Sequence, residues 1–239
     1  MDLLPGIAAW FANPGNWQGS AGVPARLADH LALSGVAILI AAVIGLGIGI
    51  WVGHTGRGAT LAVNLANLGR AMPTFGVMGV VVPLTAAIDS DAGFKVWPAA
   101  IGLVILAIPP ILVNAYTGIA GVDPEVTEAG RAAGMRGWQV LSRVELPLAV
   151  PVILTGIRSG ASQVVATATL AAVFGGPGLG RFIVEGYAQL YAPGAGYPEM
   201  WAGVILVGAA FAAVEVGLAA VQRALTSPGL RLASSARAA

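Results

Sequence analysis

The stretch GVDPEVTEAGRAAGMRGWQVLSRVELPLAV, residues 121–150, is the only long polar segment in the interior of this chain. The chain around it is apolar, because 57% of the 239 residues are hydrophobic, 10% are charged and the mean hydropathy is +0.83. This composition lies outside that of soluble globular domains and is typical of a protein embedded in a lipid bilayer. Since a bilayer core takes about 20 apolar residues per helix, the chain has room for one all-α membrane domain of about five spans.

Apolar runs lie on both sides of the polar segment, three before it and two after it, and each is long enough to cross a bilayer. They are residues 31–52, 61–88, 96–119, 151–174 and 201–221. The second and third runs contain prolines, where kinks or local unwinding are expected: Pro73, Pro83, Pro109 and Pro110. In the first run, Gly45, Gly47 and Gly49 alternate and allow a neighbouring backbone to approach closely.

The segments around these runs predict how the rest of the chain is organised. Residues 1–30 include Trp10, Phe11 and Trp17 and are expected to lie at the membrane interface outside the cytoplasm. Residues 31–225 form the transmembrane domain, with the polar loop at 120–149 facing the cytoplasm, and residues 226–239 form a cytoplasmic tail. Apolar residues recur at helical spacing within 175–196, which predicts a short helix on the outer face.

The distribution of basic residues predicts the orientation. With five spans and a cytoplasmic polar loop, the N-terminus lies outside and the C-terminus inside. The inner segments then hold seven arginines, which are Arg57, Arg131, Arg136, Arg143, Arg223, Arg231 and Arg237. The outer segments hold three basic residues, which are Arg26, Lys95 and Arg181. This asymmetry agrees with the positive-inside rule, so we expect a multi-pass protein of a prokaryotic cell membrane.

Composition also excludes several classes of function. A net charge of +1 gives no basic excess for binding nucleic acid. The absence of cysteine excludes disulfides, iron–sulfur clusters and thiolate zinc sites. His30 and His54 are too few and too isolated for a metal site, and each is expected at the membrane interface. No clustered carboxylates or histidines indicate an enzyme, and no Gly-x4-Gly-Lys-Ser/Thr loop indicates ATP hydrolysis on this chain.

Helix chemistry predicts the structure of the polar loop. Asp123 can cap a helix that begins with Pro124 and carries Glu125 near its positive end. Gly134 and Gly137 then weaken helicity. The loop is therefore predicted to form two short helices that meet at a bend, a small element that suits insertion into a cleft of a soluble partner.

The same loop resembles the EAA loop of ABC importer permeases, which reads EAA, three residues, Gly, nine residues, Ile, any residue, Leu-Pro. The spacing matches without a gap, and Gly130 and Val144 are conservative departures. We call residues 120–149 the coupling loop, because the resemblance implies that it docks onto the ATPase. Its candidate docking residues are Asp123, Glu125, Glu128, Ala129, Gly130, Gly134, Val144, Leu146 and Pro147.

Two further stretches, RAMPTFGVMGVVVPL at 70–84 and LPLAVPVILTGIRSGASQVVATATLAAVFGGPGLG at 146–180, resemble permeases for glycine betaine, choline and carnitine. The resemblance covers roughly residues 25–225 and implies a type I ABC importer permease that moves an osmoprotectant by alternating access. It implies as partners a second permease subunit, identical or homologous, ATPase subunits and an extracytoplasmic solute-binding protein, all assembled in membrane lipid. ATP and Mg²⁺ would bind to the ATPase, with no cofactor or metal on this chain.

Polar residues inside the spans are candidates for the translocation pathway: Ser159, Ser162, Gln163, Thr167 and Glu215. Positions 159, 162, 163 and 166 share one helical face. This face suits either a wetted passage or tight helix packing. Arg158 can hold the coupling loop through Glu145, and Glu215 can pair with Arg158 or line a path for a cation.

Two other functions stay open on the sequence. An importer for another small solute, such as an amino acid, would have the same kind of coupling loop. An ion-coupled secondary transporter would be expected to show internal repeats, and the sequence shows no convincing repeat.

Overall fold

A computed structural model of the chain describes residues 3–191 and 196–226, and the regular structure of these residues is helical. The α-helices are α1 (Leu3–Ala12), α2 (Val23–Thr55), α3 (Ala59–Ala71), α4 (Thr74–Ala86), α5 (Ala92–Lys95), α6 (Trp97–Ala120), α7 (Pro124–Ala132), α8 (Gly137–Val140), α9 (Leu146–Thr167), α10 (Gly180–Ala188) and α11 (Gly196–Leu225). Short 3₁₀ segments cover Pro14–Trp17 and Ala168–Phe174, and a π-helical turn covers Leu141–Glu145.

Four helical segments of the described chain are long and apolar enough to cross a membrane: α2, α6, the continuous segment Gly137–Phe174, and α11. The predicted second span is instead the pair α3 and α4, which meet at a 90° bend. Each has 13 residues, about 20 Å of helix, too short to cross a core of about 30 Å. The prediction of five spans is met when this pair counts as one span.

The break between α3 and α4 follows from Pro73. Proline has no backbone N–H, and it disfavours helical geometry in the residue before it, here Met72. Unwinding was predicted here and occurs. At Pro109 and Pro110 the prediction was a kink or local unwinding. Both residues lie inside α6 without a break, so unwinding does not occur there, and the kink stays a prediction.

The chain divides into two compact units. Unit 1 contains the residues up to Leu39, Met72–Leu106 and Ala161–Val214, and unit 2 contains Ile40–Ala71, Ala107–Gly160 and the residues from Glu215 onward. The chain therefore passes between the units five times, four times within a long helix and once at the α3/α4 break.

Glycines bring the helices of unit 2 into close contact. A Cβ on Gly49 of α2 would lie 2.5 Å from the Leu112 carbonyl oxygen of α6, and one on Gly156 of α9 would lie 2.5 Å from Cβ of Asn114. Such distances leave room for hydrogen alone. The predicted close approach is thus confirmed at Gly49, whereas Gly47 faces open space.

Unit 1 has its own apolar cluster, formed by Val23, Leu179, Phe182 and Ala210. Trp10 of the N-terminal segment packs edge-on against Phe182, with ring centroids 5.2 Å apart. A short helix was predicted within 175–196, and α10 is that helix; Phe182 is its buried apolar side chain, and Leu179, just before it, is also buried. Its location on the outer face stays a prediction.

The structure describes most of the predicted N-terminal segment and little of the predicted C-terminal tail. The helix that contains the first predicted span begins at Val23, so the last residues of the predicted N-terminal segment belong to α2. The predicted boundary at residue 30 stays a prediction. His30 lies on α2 inside unit 1 with 0% of its surface exposed, so protein surrounds its side chain, and its interfacial depth stays a prediction. The predicted tail, 226–239, lies outside the described residues except for Thr226.

Candidate functional site

The first half of the coupling loop forms the capped helix predicted from its sequence. The Glu125 backbone N–H donates to Oδ1 of Asp123 over 2.9 Å, Pro124 occupies the first turn, and Arg131 lies in the last turn. The acidic start and basic end both complement the helix dipole. These features explain why nine residues hold a helix, α7, outside the apolar runs.

Gly134 ends α7 because it adopts a left-handed conformation, with φ at +84°. The Met135 N–H donates to the Gly130 carbonyl over 3.1 Å, and the Gly134 N–H donates to the Arg131 carbonyl over 2.9 Å. This pair of bonds is the Schellman motif, which closes a helix on a glycine. A Cβ on Gly134 would meet nothing within 4 Å, so the backbone conformation alone demands glycine.

The second half of the loop differs from the prediction of a second short helix. From Gly137 the helix continues through α8, the π-helical turn and α9 to Phe174, over 38 residues. The π turn stands just before Pro147, whose missing N–H leaves the ordinary helical ladder incomplete. The Leu146 N–H donates to the Leu141 carbonyl across this turn, so the helix continues instead of ending.

The residues of the EAA pattern divide into two groups. Gly130 is buried, and a Cβ there would lie 3.4 Å from Sδ of Met135 and 3.8 Å from Cγ2 of Val144, so this part holds α7 against the second half of the loop. Leu146 packs into the apolar cluster that contains Ala149. The remaining members, Asp123, Glu125, Glu128, Ala129, Gly134 and Pro147, are exposed.

Two large apolar side chains are exposed beside these acidic residues. Val126 is 45% exposed on α7, and Trp138 is 61% exposed on α8. Since the loop has a polar composition and lies between two spans, these side chains are not needed for contact with lipid. Apolar residues bordered by charges are typical of a protein-binding surface.

The end of α2 is joined to the coupling loop by a buried polar contact. Nδ1 of His54 lies 2.6 Å from Oε2 of Glu145, and Glu145 is only 5% exposed. Arg158 was considered the partner of Glu145, and that expectation is wrong, because Arg158 pairs with Glu215. The interfacial position of His54 stays a prediction. No local sequence signal connects these residues, which are 91 positions apart.

Arg158 instead pairs with Glu215, one of the two partners considered for it from the sequence. Nε of Arg158 donates to Oε1 of Glu215 over 2.6 Å, and Nη1 donates to Oε1 of Gln222 over 3.3 Å. The Gln222 amide in turn donates to Oγ1 of Thr155 over 2.9 Å. Within unit 2, this network ties α9 to α11.

The other pathway candidates lie along α9. Ser159, Ser162 and Thr167 are half-buried and Gln163 is exposed, whereas Val164 is fully buried. The polar stripe is thus on the less buried side of the helix. Because a polar stripe gains nothing from lipid, this side is suited to face protein or water.

A charged cluster in unit 1 was not predicted from the sequence. Nη2 of Arg26 and Nε of Arg181 donate to the two carboxylate oxygens of Glu185 over 2.7 and 2.8 Å. The Arg26 guanidinium also stacks over the Phe182 ring, 4.2 Å from its centroid. The cluster borders a cavity of about 350 Å³ that includes Asp29, Lys95 and residues 175–178. Of these contacts, only the ion pair between Arg181 and Glu185 could have been predicted from the sequence, because the two residues are four positions apart on one helix.

Among residues 3–191 and 196–226, no three histidine, aspartate or glutamate residues form a group that could hold a metal ion.

Comparison with known proteins gives a consistent family assignment. Residues 30–227 match the family described as binding-protein-dependent transport system inner membrane component. The chain is 31% identical to the glycine betaine/carnitine/choline transport system permease protein OpuCB of Bacillus subtilis, covering 86% of this chain and 89% of that protein. It is 32% identical to the carnitine transport permease protein OpuCB of Listeria monocytogenes, with 85% and 88% covered. It is 31% identical to the osmoprotectant import permease protein OsmW of Salmonella typhimurium, with 85% and 91% covered.

Among solved structures, the chain is similar to the inward-facing MetNI methionine ABC transporter. The TM-score is 0.71 at 21% identity, with 84% of this chain and 95% of that chain covered. This likeness establishes the type I ABC importer permease fold.

Proposed function

Because the chain belongs to the family of inner-membrane components of binding-protein-dependent transport systems, we propose that it is the permease subunit of an ABC importer for a quaternary-ammonium osmoprotectant. The chain is a multi-pass membrane protein, and its family consists of permease components rather than enzymes. The proposed solutes are glycine betaine, choline and carnitine, moved by alternating access while a partner hydrolyses ATP.

The solute assignment is supported by the most similar relatives. Three of them, at 31–32% identity over 85% or more of this chain, carry the names of these solutes or of osmoprotectants. The competing amino-acid assignment has weaker support, because the methionine transporter shares the fold at 21% identity.

The coupling loop is the proposed contact with the ATPase. The observation that carries this step is that the loop exposes two large apolar side chains: Val126, beside exposed Glu125 on the short capped helix α7, and Trp138 on α8. Burying both side chains in a cleft would remove apolar surface from water, at about 25 cal/mol for each Å².

The polar stripe of α9 is the proposed surface toward the translocation pathway and the second permease subunit. Ser159, Ser162, Gln163 and Thr167 lie on the less buried side of the helix. In a bilayer, this surface needs protein or water as its neighbour. Glu215 is withdrawn from this set, because its pairing with Arg158 accounts for its position in the span.

The proposed orientation has the N-terminus outside and the coupling loop in the cytoplasm. The excess of arginine in the inner segments, seven against three basic residues in the outer ones, supports this orientation. In this orientation, the charged cluster of Arg26, Arg181 and Glu185 faces the side from which a solute-binding protein delivers its cargo.

Transport by the reconstituted complex tests the proposed function. The permease is placed in proteoliposomes with its proposed partners, an ATPase and a solute-binding protein from the same organism. Uptake of radiolabelled glycine betaine, choline, carnitine and methionine is then measured. We expect ATP-dependent uptake of at least one quaternary-ammonium solute, and none when the binding protein is omitted. Import of methionine alone would contradict the solute class, and uptake driven by an ion gradient without ATP would contradict the transporter class.

A further inference from the structure

The contact between His54 and Glu145 joins two parts of unit 2 that the family pattern does not connect. Glu145 occupies the any-residue position of the EAA pattern, between Val144 and Leu146. His54 lies outside the pattern altogether, in the last turn of α2. Neither residue therefore has a role assigned by the resemblance or by the relatives.

The environment of Glu145 makes this contact important. Its carboxylate is buried at the end of the π-helical turn, and a buried carboxylate needs a hydrogen-bond donor to offset the loss of water. His54 supplies that donor over 2.6 Å. Hydrogen bonds to a charged group are shorter and stronger than neutral ones, and they fix direction as well as distance.

The imidazole of His54 faces both ends of the segment 137–145. While Nδ1 bonds to Glu145, Nε2 would lie 3.6 Å from a Cβ built on Gly137, where α8 begins. The ring is thus placed between the start of α8 and the end of the π turn. A single side chain at the end of α2 thereby bonds to Glu145 and lies close to Gly137.

The end of α2 packs closely against α6. Gly53, next to His54, packs so closely on α6 that a Cβ would lie 2.7 Å from Cβ of Ile119. One turn earlier, Gly49 makes the same kind of contact with Leu112 and Ala115. Because closely packed helices resist displacement, a side chain at this end of α2 can set the position of a neighbouring segment.

We infer that His54 is a positioning residue of the transport cycle, which holds the coupling loop in its docking orientation through the buried carboxylate of Glu145. This inference rests on the proposed docking of the loop onto the ATPase. It predicts that loss of the hydrogen bond makes the coupling loop more mobile, so that more ATP is hydrolysed for each solute molecule imported.

Matched variants of His54 separate the hydrogen bond from the packing. In His54→Asn, the amide nitrogen stands as many bonds from Cα as Nδ1 does, so a donor to Glu145 is retained. In His54→Leu, similar bulk remains but the donor is lost. Thr55→Ala is the control, because Thr55 is exposed at the same helix end and bonds to the Trp51 carbonyl of its own helix.

Two measurements are made on each variant in the assembled transporter. The first is the number of solute molecules imported per ATP hydrolysed in proteoliposomes. The second is hydrogen–deuterium exchange of the backbone amides of residues 124–145. We expect His54→Leu to lower the import ratio several-fold and to speed exchange, with His54→Asn and Thr55→Ala remaining within about twofold of wild type.

A double variant distinguishes a loss of loop positioning from a loss of protein stability. His54→Leu leaves the Glu145 carboxylate buried without its donor, whereas His54→Leu combined with Glu145→Met replaces both partners by apolar groups, a change that is often nearly neutral for stability. If the hydrogen bond positions the loop, the double variant regains thermal stability while its import ratio stays low.

The inference is overturned if His54→Leu imports with the wild-type ratio, or if His54→Asn falls as far as His54→Leu. It is also overturned if the double variant couples normally. Failure of the proposed docking would look different: Trp138→Ala would leave association with the ATPase intact, while His54→Leu would still speed amide exchange in the loop.

Discussion

The guanidinium of Arg158 and the carboxylate of Glu215 bind each other within the transmembrane part of unit 2, and Gln222 extends the contact to Thr155. An ionisable residue within a span is costly unless it finds a partner. Each charge therefore provides the partner that the other needs within the span, and together they fix α9 against α11 near the middle of α9.

The effects of removing the two members of this pair should not add. Arg158→Met leaves Glu215 without its main partner, and Glu215→Gln leaves a cation whose hydrogen bond is weaker. We expect each single variant to lower the melting temperature in detergent, and the double variant to lose less than the sum of the two. Strict additivity would show that the two side chains are independent.

The bend of the coupling loop should be sensitive to charge. Gly134→Asp and Gly134→Asn are alike in shape, and both residues tolerate a left-handed conformation better than other side chains. Only the aspartate adds a charge to the docking surface. We expect Gly134→Asp to reduce transport strongly with normal membrane insertion, and Gly134→Asn to retain most of it.

Alanine variants of Gly134 and of Gly130 in α7 provide the control for this test. Gly134→Ala should cost about 1–2 kcal/mol of local stability, because φ is positive at this residue. Gly130→Ala should instead stabilise α7 by about 1 kcal/mol, because a Cβ has room there and helical glycine is unfavourable. Hydrogen exchange of α7 amides measures both, and equal effects of the two alanines would contradict the assigned helix end.

Cysteine accessibility should distinguish a pathway from simple packing. Because the protein has no native cysteine, single cysteines at Ser159, Ser162 and Gln163 can be labelled by a water-soluble thiol reagent without background. We expect these positions to react in the assembled transporter and the rate to change with ATP or solute. Val164, fully buried on the opposite side of α9, is the internal control and should stay protected.

Uniform protection of the three stripe positions would assign this side of α9 to packing against the second subunit. Reaction at Val164 would contradict the burial pattern itself.

Reporter fusions on either side of the bent α3/α4 pair should decide whether it crosses the membrane. A reporter at Arg57 precedes α3, and one at Ser90 follows α4. The five-span arrangement requires Arg57 to report the cytoplasm and Ser90 the outside. A fusion after Arg237 should also report the cytoplasm. If Arg57 and Ser90 both report the outside, the pair is a re-entrant loop and the chain has four spans.

Local chemistry explains which parts of the structure could be predicted from the sequence. The Asp123 cap, the Pro124 start and the Gly134 end of α7 depend on bonds within a few residues, so their side chains reveal them directly. The partner of Arg158 was also within reach, since few ionisable residues lie inside the spans to pair with it.

Contacts between distant parts of the chain could not be predicted in this way. His54 meets Glu145 across 91 positions, and Arg26 meets Glu185 across 159. Which side chains meet depends on the rotation and height of each packed helix, and hydrophobic runs specify neither. The continuous helix from Gly137 to Phe174 was missed for another reason: glycine at position 137 weakens a helix interior but is tolerated at its start.

The break between α3 and α4 at Met72 and Pro73 limits what can surround this part of the protein in the membrane. The last carbonyls of α3 and the first amides of α4 have no partners within their own helices, and Pro73 provides no side-chain bond to cap α4. Hydrocarbon cannot supply hydrogen bonds, and each backbone group left unpaired there would cost several kcal/mol. The acyl chains must therefore be kept away from this point, so the annulus of lipid around the transporter stops short of it and protein or water solvates the exposed peptide groups.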